Sequence, residues 1–329
     1  MNKSFIESTL NREDPPFEAP LRPQALSEFI GQEGACQRLS IMISAAKERG
    51  EALGHCLFCG PPGLGKTTLA NLLAKEMGSN VVVTSGPAIE KPGSLAGILT
   101  NLQQGDVLFI DEIHQLSRVV EEYLYPAMED FSLDLIIDQG AHARSVKLEL
   151  PRFTLAGATT RTGLLTGPLR SRFAMTCRLN YYSEESLKLI LLRTARILHL
   201  KLEEGGALEI ARRSRGTPRI ANHLLRWVRD WAQAHKAALV TEEVVSAALE
   251  MLAIDRSGLE EMDHRILRVI IEHYQGGPVG LETLAVAVGE EASTLKDVYE
   301  PFLIGEGLLK RTPRGREATQ KAYQHLQKE

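Results

Sequence analysis

The sequence predicts an α/β fold: a parallel-sheet domain, then a small all-helical domain, then a three-helix domain closing in a turning strand pair. Three observations carry that prediction. Short apolar runs alternate with helical patterns through the first half of the chain, as βαβ units around a parallel sheet do. From Ser183 the periodicity becomes helical only. The chain then finishes in "LLKRTPRGREAT" (308–319), an apolar-to-basic segment with Pro313 and Gly315 at a turn.

At 329 residues the chain is long enough for two or three domains. Its 43% hydrophobic and 24% charged residues are those of an ordinary globular protein. No stretch approaches the roughly 20 apolar residues of a membrane helix, and "MNKSFIESTLNREDPPFEAP" lacks the apolar run of a secretory signal, so a cytoplasmic protein is expected. That stretch, residues 1–20 and onward to about Ala25, is polar and Pro-containing, and is expected to be poorly ordered. A net charge of −4 excludes a surface coated in basic residues, so any nucleic-acid contact must be local. Cys56 and Cys59 form a C-x-x-C, but "CLFCG" reads as a buried strand and no second such pair completes a metal site. With Cys36 and Cys177 they fit reduced thiols of an intracellular protein.

Taken in order, "HCLFCG" (55–60) reads as a strand and "KTTLANLLAKEMG" (66–78) as a helix with a Gly stop. "NVVVTSG" (80–86) is a strand, "GSLAGILTNLQQG" (93–105) a helix and "DVLFID" (106–111) a strand. "VVEEYLYPAMEDF" (119–131) is a helix with a bend near Pro126, and "RFTLAGATT" (152–160) a further strand. Between them "SLDLIIDQGAHARSVKLEL" (132–150) alternates on either side of Gln139-Gly140-Ala141 and predicts a projecting β-hairpin. Ser183 caps "SEESLKLILLRTARIL", with Ser186 three residues on, short of a full capping box. "GALEIARRS" follows, and "TPRIANHLLRWVRDWAQAH" and "TEEVVSAALEML" each open on a Thr suited to capping. The helical domain ends near Ile254, which gives bounds of 21–182, 183–254 and 255–329. Three helical segments with Gly-rich turns and a strand pair make the last a winged helix.

"GPPGLGKTT" (60–68) satisfies G-x-x-x-x-G-K-[ST] through Gly60, Gly65, Lys66 and Thr67, after a strand and opening a helix. Backbone N–H groups of such a loop suit a phosphate chain. Lys66 brings a point charge to the β/γ-phosphates, Thr67 a hydroxyl to Mg²⁺, and Thr68 a further hydrogen bond. "DVLFIDEIH" (106–114) ends a strand in two carboxylates: Asp111 for Mg²⁺, and Glu112 to orient and deprotonate the attacking water. His114 reads as a surface histidine. In "AGATTR" (156–161) Thr159 is the first candidate to sense the γ-phosphate and Thr160 the next. "GPLRSRF" (167–173) offers two arginines, one of which a neighbouring subunit could present to the developing charge, an effect of roughly 10³–10⁵-fold. "RGTPRIANHL" (215–224) puts Arg219 in the first turn of a helix, from which it could reach a nucleotide lying between the domains. In the tail, Arg311, Arg314 and Arg316 are expected to fan along one face of the wing and touch phosphates without base readout.

Together these motifs resemble the AAA+ ATPases and, within them, the RuvB family of bacterial Holliday-junction branch-migration motors. "LRPQALSEFIGQE" (21–33), "GPPGLGKTTLA", "DEIH", "MEDF" (128–131), "FTLAGATTR", "GLLTGPLRSRF", "RGTPRIAN" and "RTPRGR" stand in that family's order over nearly the whole chain. The resemblance implies an AAA+ P-loop domain, a helical lid and a winged-helix DNA-binding domain. It implies an ATP hydrolase that translocates duplex DNA as a homo-hexameric ring, with ATP and Mg²⁺, in recombination and repair. Its substrate would be the duplex arms of Holliday junctions and its partner a RuvA tetramer, with the RuvC resolvase a further candidate. Residue by residue, it implies that Leu21 and Arg22 line the adenine side and that Gly63, Gly65, Lys66, Thr67 and Thr68 hold phosphates and metal. Glu129, Asp130 and Phe131 would lie near the nucleotide, with Tyr182 and Arg219 closing it from the lid side. Arg172, before Phe173, matches the arginine finger, with Arg170 the fallback. The 132–150 hairpin matches the region that docks onto RuvA, and Arg311 and Arg316 match contacts to DNA backbone. Gln115 and Ala174 depart from the family's commoner residues, neither at a catalytic role.

Three rival readings are weaker. A protein unfoldase would grip polypeptide with an aromatic loop residue, but no Phe, Tyr or Trp occurs from Pro61 to Leu108. A clamp-loader-like switch would turn over once per loaded partner rather than continuously. A non-catalytic DNA-binding regulator would not need Lys66, Asp111 and Glu112.

Overall fold

The computed structural model describes residues 4–11, 14–136 and 145–327. The chain divides into two compact units, one of Leu21–Tyr182 and one of residues 1–20 with 183–329.

In the first unit the strands are, in chain order, β1 (Cys56–Cys59), β2 (Val81–Ser85), β3 (Val107–Asp111), β4 (Ser132–Ile136), β5 (Ser145–Glu149), β6 (Thr154–Thr159) and β7 (Met175–Arg178). Five form one sheet, ordered β2-β3-β6-β1-β7 and parallel throughout. The inner strands β1 and β6 are buried along their whole length, and β3 is buried up to Asp111. A parallel sheet covered on both faces asks for such unbroken apolar runs. Burial pushes the Cys56 thiol up to about 12 and the Cys177 thiol up to about 11, so both stay protonated and inert. β4 and β5 pair antiparallel, Ser132 opposite Glu149 and Leu133 opposite Leu148, as the hairpin pattern predicts. The expected turn at Gln139-Gly140-Ala141 lies outside the described residues.

Among the elements of this unit that escape the sequence reading are β7 and a long helix. β7 is four residues of alternating burial, too short to register. The helix Glu33–Arg49 buries Ala35, Leu39, Ile43 and Ala46, a stripe that is legible in the sequence. Pro126 lies inside the helix Arg118–Glu129, which is capped by Ser117 accepting from the Val120 N–H. The proline forfeits only its own N–H bond in the last turns.

The second unit holds helices Glu184–Ile197, Glu204–Arg213, Pro218–Ala234 and Glu242–Glu250. Ser183 and Thr241 cap as expected, accepting from the N–H groups of Ser186 and Val244. Thr217 does not: its hydroxyl donates back to the Arg215 carbonyl at 3.2 Å, and Pro218, with φ preset for a helix, opens the next one. Further on come Glu261–Arg268, extended by a π-turn to His273, then Leu281–Val288 and a segmented helix over 292–305. The antiparallel pair β8 (Leu309–Thr312) and β9 (Gly315–Ala318) and a last helix, Gln320–Leu326, complete the unit. Gly315 is required at that turn, because a Cβ there would stand 2.3 Å from the Val279 carbonyl oxygen. Tyr299, Leu267, Ile270 and Leu303 centre the core of this part. Across the junction between residues 183–254 and 255–329, Arg213 donates to the Ile254 carbonyl at 3.1 Å. Arg215 donates to the Gly258 carbonyl at 2.8 Å and pairs with the buried Asp263.

The amino-terminal stretch departs from expectation. Residues Phe5–Asn11 form a helix whose Ile6 is fully buried, the Ser4 hydroxyl donates to Glu260, and Asp14 pairs with Arg226 at 2.6 Å. One apolar anchor and partners more than two hundred residues away order a segment whose own composition reads as disordered.

Candidate active site

β1 runs into the loop at 60–65, and the helix Lys66–Met77 leaves it. Gly60, at φ 146°, lies so close to Leu179 that a Cβ would come 2.5 Å from its carbonyl oxygen. Gly65, at φ 99°, precedes the helix, and no side chain caps it, leaving the positive helix end to the loop. Lys66 is 7% exposed as a residue, and its ammonium donates to the Gly60 and Pro61 carbonyls at 2.8 and 2.9 Å, which holds it over the loop. Thr67 and Thr68 are half-buried in the first helical turn. The Phe29 ring stands against Gly65, a contact the sequence reading missed. The Tyr182 ring lies on Gly31 and its hydroxyl donates to the Leu64 carbonyl at 3.0 Å. Burial pushes the Tyr182 phenol up, so it remains a donor. Leu21 is buried and Arg22 half-buried.

The two carboxylates end β3, next to β6, itself next to β1. Asp111 accepts from the Glu112 N–H at 2.9 Å. Glu112 leaves the strand in the left-handed region, φ 46° and ψ 45°, an uncommon conformation for a residue with a Cβ. It is packed there by Gly86, where a Cβ would lie 2.5 Å from the Glu112 carbonyl oxygen. Its side-chain Oε2 receives the Thr160 hydroxyl at 3.0 Å and lies 3.1 Å from His114 Nδ1. His114 is therefore no surface histidine: its side chain is 5% exposed, bonded also to Thr159 Oγ1 at 3.0 Å. The two threonines have different partners. Thr159 is fully buried and accepts from the Arg161 N–H at 3.0 Å, whereas Thr160 meets Glu112. The Thr159 backbone still serves the site, since its carbonyl accepts from the Gly60 N–H at 3.1 Å and ties β6 to the loop.

A second group lies elsewhere. Phe131 packs on His55 and Phe153, at 6.1 and 5.8 Å between ring centroids. Those residues precede β1 and β6, at the amino-terminal edge of the sheet, whereas Lys66 and Glu112 lie past its carboxyl edge. A four-residue strand separates the two edges by about 13 Å. Arg172 belongs with Phe131: its Nη2 is 3.1 Å from Glu129 Oε2, its Nη1 donates to the Pro168 carbonyl at 2.7 Å, and its guanidinium sits 4.3 Å over the Tyr125 ring. Glu129, Asp130 and Arg170 are exposed. Residues 129–131 thus stand at the edge of the sheet opposite Lys66 and Glu112. Arg219, in the other unit, pairs with Glu18 at 3.0 Å.

On the wing the expected fan of arginines is only partly present. Arg311 and Arg314 are exposed. Arg316, opposite Arg311 in the ladder, is instead buried in a double hydrogen bond to Glu300, at 2.5 and 3.2 Å. A guanidinium spent on a buried carboxylate is not offered to phosphate.

Residues 21–179 match the family profile described as the Holliday junction DNA helicase RuvB P-loop domain. Residues 182–255 match the RuvB AAA lid domain and 256–327 the RuvB C-terminal winged helix domain. The chain is similar to the Holliday junction branch migration complex subunit RuvB of Protochlamydia amoebophila (strain UWE25), 63% identical over 326 residues, 99% of this chain and 98% of that protein. Among solved structures it is similar to the Thermotoga maritima RuvB Holliday junction branch migration motor, 52% identical with a TM-score of 0.85, covering 94% of this chain and 98% of that one. A mutant form of that motor is 51% identical with a TM-score of 0.86, over 93% and 98% of the two chains.

Proposed function

Because the chain belongs to the RuvB family, we propose that it is an ATP-driven motor that translocates duplex DNA and drives branch migration of Holliday junctions. The observation that carries this reading is the convergence of Lys66, Asp111, Glu112 and Thr160 at the carboxyl ends of three adjacent strands, β1, β3 and β6. A bare helix N-terminus, an ammonium, a hydroxyl and a carboxylate fit a nucleoside triphosphate with its magnesium ion. Gly63, Gly65, Lys66, Thr67 and Thr68 would hold the phosphates, Leu21 and Arg22 would line the adenine side with Tyr182 closing it, and Thr67 and Asp111 would hold the Mg²⁺. When bound there, the metal would neutralise charge on the phosphate oxygens. Glu112, steadied by Thr160 and His114, takes the proton of the attacking water.

Glu129, Asp130, Phe131 and Arg172 stand at the opposite end of the sheet. That placement supports a ring, a homo-hexamer by the family resemblance, in which they face a neighbour's nucleotide and Arg172 is the finger. Arg219 is the lid's candidate for contact with the nucleotide. The exposed Arg311 and Arg314 are the wing's phosphate contacts. The RuvA tetramer would dock on the 132–150 hairpin, with RuvC joining the same junction. A cytoplasmic location suits that task, and among the described residues no helix is long and apolar enough to cross a membrane.

ATP-dependent dissociation of a synthetic four-way junction, with and without RuvA and against a plain fork, tests the reading. Dissociation stimulated by RuvA is expected. An intact junction after incubation with ATP, Mg²⁺ and RuvA would overturn it.

A further inference from the structure

We propose that Asp255, His264 and His325 form a binding site for a divalent transition-metal ion of the zinc class. The three come from separate elements: Asp255 from the segment after Ile254, His264 from the helix Glu261–Arg268, and His325 from the last turn of Gln320–Leu326. One ligand atom from each lies within 4.8 Å of the others. His325 Nε2 is 2.7 Å and His264 Nε2 3.4 Å from the same Asp255 oxygen, Oδ2. The imidazoles are nearly parallel, at 20° with centroids 5.7 Å apart. Two ligand atoms each about 2.05 Å from a tetrahedral zinc stand roughly 3.4 Å apart. The His264 pair already has that separation, and the His325 pair reaches it by opening roughly 0.7 Å.

The carboxylate is aimed in advance. Its Oδ1 accepts from the Ser257 and Leu259 N–H groups at 2.8 and 2.9 Å, which turns Oδ2 toward both rings. Backbone support of this kind behind a ligating carboxylate is what metal sites carry. The side chains of Asp255, His264 and His325 are 21, 11 and 20% exposed, which leaves an entry path and room for water as a fourth ligand. None of the three serves the nucleotide or the wing. A bound ion would clip the entry of the winged helix to its first and last helices.

The test uses untagged, full-length, nucleotide-free protein stripped with a chelator and titrated with Zn²⁺ or Co²⁺. One ion per chain retained through gel filtration is expected, with a rising thermal midpoint. Cobalt should give the visible absorption of a four-coordinate site, without the thiolate charge-transfer band that binding at Cys56 and Cys59 would add. His264→Gln and His325→Gln should each weaken binding by more than the roughly 10–100-fold cost of losing a group behind a ligand. Retention of neither metal overturns the proposal and leaves a hydrogen-bonded Asp–His–His cluster. A thiolate band, or uptake unchanged in the doubly substituted chain, overturns it by placing the ion elsewhere.

Discussion

Replacing Thr160 by Val keeps the shape of the side chain and deletes the hydroxyl that donates to Glu112 Oε2 at 3.0 Å. A hydrogen bond to a charged group contributes roughly 1.5–3 kcal/mol. The Glu112 side chain is 30% exposed and keeps His114 at 3.1 Å, so water and the imidazole replace part of the loss. The lower end, about 1.5–2 kcal/mol, is the fitting choice, and at 1.36 kcal/mol per decade it predicts a roughly 10–30-fold fall in kcat. KM for ATP should hardly change, since the hydroxyl acts on the residue that places the water. Thr159→Val is the internal contrast. It removes the hydroxyl of a fully buried residue and leaves the Arg161 N–H and His114 Nδ1 without that partner, a stability cost of about 1–3 kcal/mol that appears as a lower Tm. Steady-state ATPase kinetics with RuvA and duplex DNA, beside thermal melts of both variants, measure the two effects. If Thr160→Val turns over like the wild type while Thr159→Val loses turnover at an unchanged Tm, the reading of this site is wrong.

Arg172→Ala should bind nucleotide normally and lose roughly 10³-fold in hydrolysis. Rings mixed with Lys66→Ala subunits should recover part of it, and no recovery would mean that Arg172 does not act in trans. Arg316→Ala strands Glu300, whose side chain is 5% exposed, so about 3–5 kcal/mol of stability is lost. Arg311→Ala or Arg314→Ala should leave the Tm alone and reduce the salt slope of duplex binding by about 0.9 each. Equal effects of all three on both readouts would contradict the wing geometry. His55 accepts the Leu155 N–H at Nδ1 and donates from Nε2 to the Met128 carbonyl, so the fold requires its neutral form. Burial pushes its pKa below the usual value against the opposing pull of that carbonyl. A folded pKa below the unfolded value of about 6.5 gives stability that is complete above that pH and lost as pH falls below it. His55→Gln should therefore melt lower at pH 7, with a flatter decline between about pH 6.5 and 5 than the wild type. Parallel declines in thermal scans would exclude His55 as the cause.

The parts of this protein readable from its residues in order are those set by spacing along one segment. The loop around Lys66, the Asp111–Glu112 pair at a strand end, the two strands of the 132–150 hairpin and the turn at Gly315 are of this kind. Each is a local backbone demand met by residues a few positions apart, so periodicity and glycine placement reveal it. What only the tertiary structure decided depends on which strands lie side by side and which edge of the sheet a residue reaches. Neighbouring β3 and β6 set Thr160 rather than Thr159 on Glu112, and bring His114 against Thr159 and Glu112. Chain direction through the sheet carries Arg172 and Glu129 to the edge away from Lys66. A carboxylate sixteen residues earlier claims Arg316, and Glu260 orders the Ser4–Ile6 segment from across the chain. The cause is the same throughout: a charged or hydroxylated side chain has no fixed role until burial removes its water, and its partner is then whichever group the packing brings near.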